Sequence, residues 1–79
     1  MPKFIVNRNA YQDYNGSDFA HEVHNVDEAN GCLPDVENRI DLGYHGNCKL
    51  AVKEADSKLT WSPYKADGCK HCAPACNTR

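Results

Sequence analysis

The sequence predicts an α+β fold: a small antiparallel sheet of two or three strands, packed on one helix and closed by a C-terminal zinc knuckle. Three observations lead there. "KFIVN" (3–7) and "FAHEVHNV" (19–26) alternate between two faces at the period of a strand. "NCKLAVKEADSKL" (47–59) changes to the period of a helix. "GCKHCAPAC" (68–76) then gathers three of the five cysteines at the end of the chain.

Each element follows from its residues in order. In the first strand Phe4 and Val6 share a face and Ile5 takes the other. "YQDYNGSD" (11–18) carries Asn15-Gly16, a turn signal, so strands one and two are expected to form a hairpin with a longish loop. In the second strand Phe19, His21 and Val23 lie on one face, with Ala20, Glu22 and His24 on the other. "DEANGCLPD" (27–35) is polar and contains Gly31 and Pro34, which makes it an irregular connection with Cys32 inside it. "NRIDLGYH" (38–45) alternates Ile40, Leu42 and Tyr44 and gives the third strand. Asn47 is a suitable N-cap for the helix. Cys48, Val52, Ala55 and Leu59 fall on one helical face with Ala51 beside them, and Glu54 precedes Lys58 by four residues in the favourable order. "TWSPYKADG" (60–68) is a loop, held by Pro63 and Gly68, that leads into the cysteine cluster.

With 79 residues the chain makes one domain, 1–79. A chain of this size buries only about 60–65% of its unfolded surface, so a staple is expected beside the core. Hydrophobic residues at 41% and charged ones at 25% are a globular composition. No apolar run approaches the roughly 18–20 residues of a membrane span. The start, "MPKFIVNRN", has too short an apolar run for a signal-peptide core. The expectation is a cytoplasmic protein with no membrane association, in a reducing compartment.

In such a compartment clustered cysteines bind metal or do redox work more often than they form structural disulfides. Five is also an odd number, which a disulfide framework would leave with one thiol over. Cys69-x2-Cys72 is the spacing that lets two sulfurs hold one tetrahedral ion from a single turn, and Gly68 helps the backbone fold around it. A short helix starting at Ala73-Pro74 would face Cys76 the same way as Cys72. A structural zinc site needs two more ligands, and Cys32, Cys76, His24, His21, His71 and Cys48 are the pool. His24 and Cys76 compete for the fourth position. His21 and His71 are expected in solvent. Cys48 sits on the apolar helix stripe, where cysteine packs as a small hydrophobe, although the nearby helix N-terminus lowers a thiol pKa.

Rival chemistries use the same cluster. A thioredoxin-type motif needs a substantial helix after its second cysteine, and only seven residues follow Cys72. A c-type haem site needs His directly after that cysteine, where Ala73 stands. An iron–sulfur cluster on Cys32, Cys69, Cys72 and Cys76, or thiols that bind nothing, remain open beside zinc.

The order His24, Cys32-Leu33-Pro34, strand, helix with Ala51 and Ala55, then Gly68-Cys69-x2-Cys72 resembles the Ada-type zinc-binding module of bacterial DNA repair. The longer run of Val23-His24, Cys32-Leu33-Pro34, Glu37 to Ile40, Leu42-Gly43, Cys48, Ala51 and Gly68 to Cys76 is similar to a set of short uncharacterised bacterial proteins. That second resemblance covers nearly the whole chain. It implies a small hairpin-and-helix scaffold closed by zinc, with Cys32, Cys69 and Cys72 as ligands. The Ada-type module has two cysteines in its first half. Here only Cys32 is present, with His24 eight positions earlier, so methyl-acceptor chemistry is not carried over.

Net charge is −2, with three basic against eight acidic side chains in residues 1–47 and six against three in residues 48–79. Zinc on three thiolates and one imidazole would add one further negative charge. Such a balance lacks the basic field on which nonspecific nucleic-acid binding relies. A general base beside an open metal position is not marked by spacing: Glu22 and Asp67 are available, and nothing singles them out. The expected function is a non-enzymatic zinc module that binds a protein partner. The alternatives are a thiol redox or thiol-reactive protein using Cys69, Cys72 or Cys76, and a nucleic-acid-binding accessory.

Overall fold

Strand β3 (Phe19–Asn25) is the element that joins the sheet. In the computed structural model, which describes residues 1–12 and 19–78, β3 pairs with three other strands. β1 (Lys3–Asn7) runs antiparallel to it, with Ile5 opposite His24 and Val6 opposite Val23. β2 (Tyr11–Gln12) adds two antiparallel pairs, to Ala20 and Phe19. β4 (Arg39–Tyr44) lies antiparallel on the far side of β1. β5 (Ala66–Gly68) is parallel to β3, pairing Ala66 with His21, Asp67 with Glu22 and Gly68 with Val23. The Asn15-Gly16 turn lies outside the described residues.

The fold is α+β with one helix, α1 (Cys48–Lys58), among the described residues. The sheet has five strands, more than the two or three expected, and one of its pairings is parallel. The two additional strands, β2 and β5, are two and three residues long. Ala66-Asp67-Gly68 has no alternation of its own. It is a strand because β3 offers it backbone partners that a buried chain must satisfy.

α1 begins where the sequence places it: Asn47 Oδ1 accepts the Leu50 N–H at 3.0 Å. Its buried face, Ala51 and Ala55 with Leu59 just beyond, packs on Phe4, Val6, Val23 and Leu42. Cys48 and Val52 border that core, half-buried. Among the described residues, five of the seven side chains of this cluster are larger than alanine, a small apolar core. β1 is paired along both edges, and Phe4, Ile5 and Val6 are all buried, so side chains on both of its faces are covered. Alternation then sorts the sheet. Val6 and Val23 face the helix, while the cross-strand pair Ile5 and His24 faces away from it.

Beyond β5 the chain turns at Cys69–Cys72 and closes with a 3₁₀ turn, Pro74–Cys76. This turn lies directly on Gly68. A Cβ there would meet the Ala73 carbonyl oxygen at 2.6 Å, and the Cys76 carbonyl carbon and Cβ at 2.7 Å each. Backbone that close cannot yield as a flexible side chain would. Gly68→Ala is therefore expected to destabilise the protein by about 2–4 kcal/mol, read from urea unfolding. An unchanged midpoint would mean the C-terminal turn does not rest on Gly68.

Candidate metal centre

Four side chains from three parts of the chain meet at the end of β3. His24 is on the strand itself, on the face away from α1. Cys69 is brought beside it by the parallel pairing, which runs one residue past β5: the Cys69 N–H donates to the Val23 carbonyl at 2.9 Å. Cys72 follows from a tight turn in which the Ala73 N–H donates to the Cys69 carbonyl at 2.8 Å. Cys32 arrives on the connection after β3. There the Glu28 N–H donates to the Asn25 carbonyl at 3.1 Å, and Gly31 takes a φ of 80° that sends the chain back. Arg39 ties this connection down by donating from Nε to the Pro34 carbonyl at 2.8 Å.

One ligand atom from each of His24, Cys32, Cys69 and Cys72 lies within 4.8 Å of the other three. That is close enough to hold a metal ion. Two ligands of one tetrahedral zinc stand about 3.5–3.8 Å apart, so small side-chain rotations close the remaining gap. His24 Nδ1 is already 3.4 Å from Cys72 Sγ. Its other nitrogen, Nε2, is buried with no hydrogen-bond partner among the described residues. An unmatched buried nitrogen costs about 1–3 kcal/mol.

Two pulls act on the sulfurs. Burial pushes the Cys69 and Cys72 thiols up, well above their ordinary range for Cys72. Against this, backbone N–H groups point at them: His71 donates to Cys69 Sγ at 3.4 Å, Cys72 also reaches Cys69, and Asn25 reaches Cys72. Amide donors aimed at sulfur favour the thiolate. A buried site with such donors that still disfavours thiolate is one that a cation would complete. His24 is pushed down to about 4, first by burial and then by the charge of Arg39, so it is neutral at neutral pH. Neutral imidazole is the form that ligates metal.

Other residues in the expected pool lie elsewhere. Cys76, a competitor for the fourth position, is not in the cluster: it forms a disulfide with Cys48, across 28 residues of chain. Cys48, expected to pack as a hydrophobe, does border the core, and it also carries this bond. His21 is buried, contrary to the expectation of solvent, and both its nitrogens have partners. Nδ1 lies 2.9 Å from the Asn7 carbonyl and Nε2 2.6 Å from Ser62 Oγ, with the ring edge-on to Trp61 at 5.7 Å. Its face of β3 is the helix side, where the loop after α1 covers it. His71 is exposed. Asp67, considered as a base, holds the C-terminus, accepting the Thr78 N–H at 3.1 Å and its hydroxyl at 2.8 Å.

No protein-family model, curated protein or solved structure matches this chain. Among the described residues, no helix is long and apolar enough to cross a membrane.

The depressed His24 pKa sets a pH dependence for the metal-free protein. Below its ordinary value of 6.5 the unfolded chain takes up a proton that the folded chain refuses until about pH 4. Stability on this account is full above pH 6.5 and falls as pH drops towards 4. Urea unfolding of wild type and His24→Gln across that window should show a steeper decline in the wild type. Parallel curves would contradict the assignment.

Proposed function

We propose that this protein is a zinc-binding module without catalytic activity, which uses the ion to hold its fold and offers its surface to a protein partner. The observation that carries the reading is the set of three thiols and one imidazole, buried except for the half-buried Cys32, drawn from distant parts of the chain. Three sulfurs and one nitrogen are a structural zinc donor set, and four protein ligands leave no open position for substrate or activated water. An iron–sulfur cluster would want four thiolates. With Cys76 in a disulfide, the thiols not so joined are Cys32, Cys69 and Cys72.

The net negative charge disfavours a nucleic-acid role. A protein partner is supported by exposed aromatic surface beside His21. Phe19, Trp61 and Tyr64 are each more than two-fifths exposed, and Phe19 and Tyr64 rings lie 5.5 Å apart. Aromatic side chains that remain in solvent are over-represented where proteins meet.

Native mass spectrometry of protein purified with its disulfide intact is expected to show one zinc per chain, absent from Cys32→Ser. An ion bound by the folded chain and not by the unfolded one adds its binding free energy to the stability. Strong chelation should therefore lower the melting temperature by at least about 20 °C. A metal-free protein with an unchanged melt would overturn the reading.

A further inference from the structure

The Cys48–Cys76 disulfide joins the first residue of α1 to the last residue of the C-terminal 3₁₀ turn. Three features of its surroundings suit it to exchange as well as to bracing. Both cysteines are half-buried, and with Asn47, Val52, Ala66 and Ala75 they line an open cavity of about 540 Å³, large enough to admit a small thiol. Cys48 opens a helix, where the macrodipole and terminal N–H groups stabilise a thiolate, and Lys49 follows it. Cys76 has no such support, so Cys48 is the better leaving group.

The third feature is continuity with the metal centre. Cys76 lies four residues after Cys72. Its N–H donates to the Ala73 carbonyl at 3.1 Å, and the Ala73 N–H donates in turn to the Cys69 carbonyl at 2.8 Å. The same turn rests on Gly68, immediately before Cys69. The bond that holds Cys76 to α1 therefore also holds the Cys69–Cys72 turn in its ligating shape.

We propose that Cys48–Cys76 is a thiol–disulfide exchange site for low-molecular-weight thiols, and that opening it weakens metal binding by His24, Cys32, Cys69 and Cys72. In the first step a thiolate RS⁻ attacks Cys76 Sγ. A bond forms between them, the Cys48–Cys76 bond breaks, and Cys48 leaves as a thiolate. A second RS⁻ attacks the mixed disulfide, giving RSSR and the Cys76 thiolate. The protein disulfide is reduced by two electrons and two thiols are oxidised. The freed turn is no longer tethered to α1, so binding a metal must order it again, and that ordering lowers affinity.

This inference rests on the metal-binding reading, and the tests separate the two. Zinc affinity is measured by chelator competition for oxidised wild type, for wild type reduced by a phosphine, and for Cys48→Ser/Cys76→Ser. The expected result is a loss of about tenfold or more in both opened forms. In parallel, zinc-loaded wild type is treated with reduced glutathione and mapped by mass spectrometry, which should place the adduct on Cys76 and not Cys48. The phosphine arm reads the same effect if the double variant does not fold. Equal affinity in oxidised and opened forms overturns the coupling while leaving zinc binding intact. An adduct confined to Cys48, or none, overturns the exchange site. Absence of zinc binding in every form overturns the function reading as well.

Discussion

The pairing of Ala66–Gly68 with β3 is the contact on which the remainder depends. It is three residues long, and its backbone register decides what stands beside His24. Carried one residue further by the Cys69 N–H and the Val23 carbonyl, it sets the first knuckle cysteine next to the histidine. A slip of one residue would turn Cys69 to the helix side of the sheet and part the two ligands. Two local features protect the register. Gly68 leaves room for the C-terminal turn, and the buried Asp67 carboxylate accepts the Thr78 N–H and hydroxyl.

β3 thereby separates two kinds of stabilisation on its two faces. Val23 joins the apolar core under α1, and His24 faces the thiols. The core alone is small. Closing a loop of 28 residues with the Cys48–Cys76 disulfide adds about 3–4 kcal/mol in the chain-entropy account. That supplements the core but does not hold the connection carrying Cys32, which is half-buried, polar in sequence and fixed chiefly by Arg39 and a turn at Gly31. A metal ion at the four-residue cluster would fix that connection directly. On this account the ion serves the architecture, while the exposed aromatics at Phe19, Trp61 and Tyr64 are where recognition would occur.

Much of the fold was legible because its longer elements carry a period. α1 shows both its cap at Asn47 and its buried face at Ala51, Ala55 and Leu59. β1 and β3 likewise follow their alternation; β4 does so through Leu42, after which a register shift opposite Phe4 and Ile5 leaves Tyr44 exposed and off the face of Ile40 and Leu42. β5 was not legible, because Ala66-Asp67-Gly68 becomes a strand only through its neighbour. The cluster of His24, Cys32, Cys69 and Cys72 could be assembled as candidates from sequence, but spacing could not choose between His24 and Cys76. Strand alternation put His24 opposite the helix face, and that signal was available. The disulfide was missed for a different reason. An odd number of cysteines argued against disulfides as a framework, yet five also divides into three thiols and one pair. His21 misled because a polar residue on a strand reads as solvated, whereas the loop from Trp61 to Tyr64 covers it.

X-ray absorption at the zinc edge of the metal-loaded, disulfide-intact protein tests the central claim most directly. The account predicts one shell of three sulfurs at about 2.3 Å and one nitrogen at about 2.0–2.1 Å, with the outer-shell scattering of a single imidazole. Four sulfurs, or a first shell filled by oxygen, would contradict it. The first would mean that the Cys48–Cys76 bond is not formed in the loaded protein and that one of its cysteines replaces His24; the second would leave His24, Cys32, Cys69 and Cys72 without the ion that their arrangement implies.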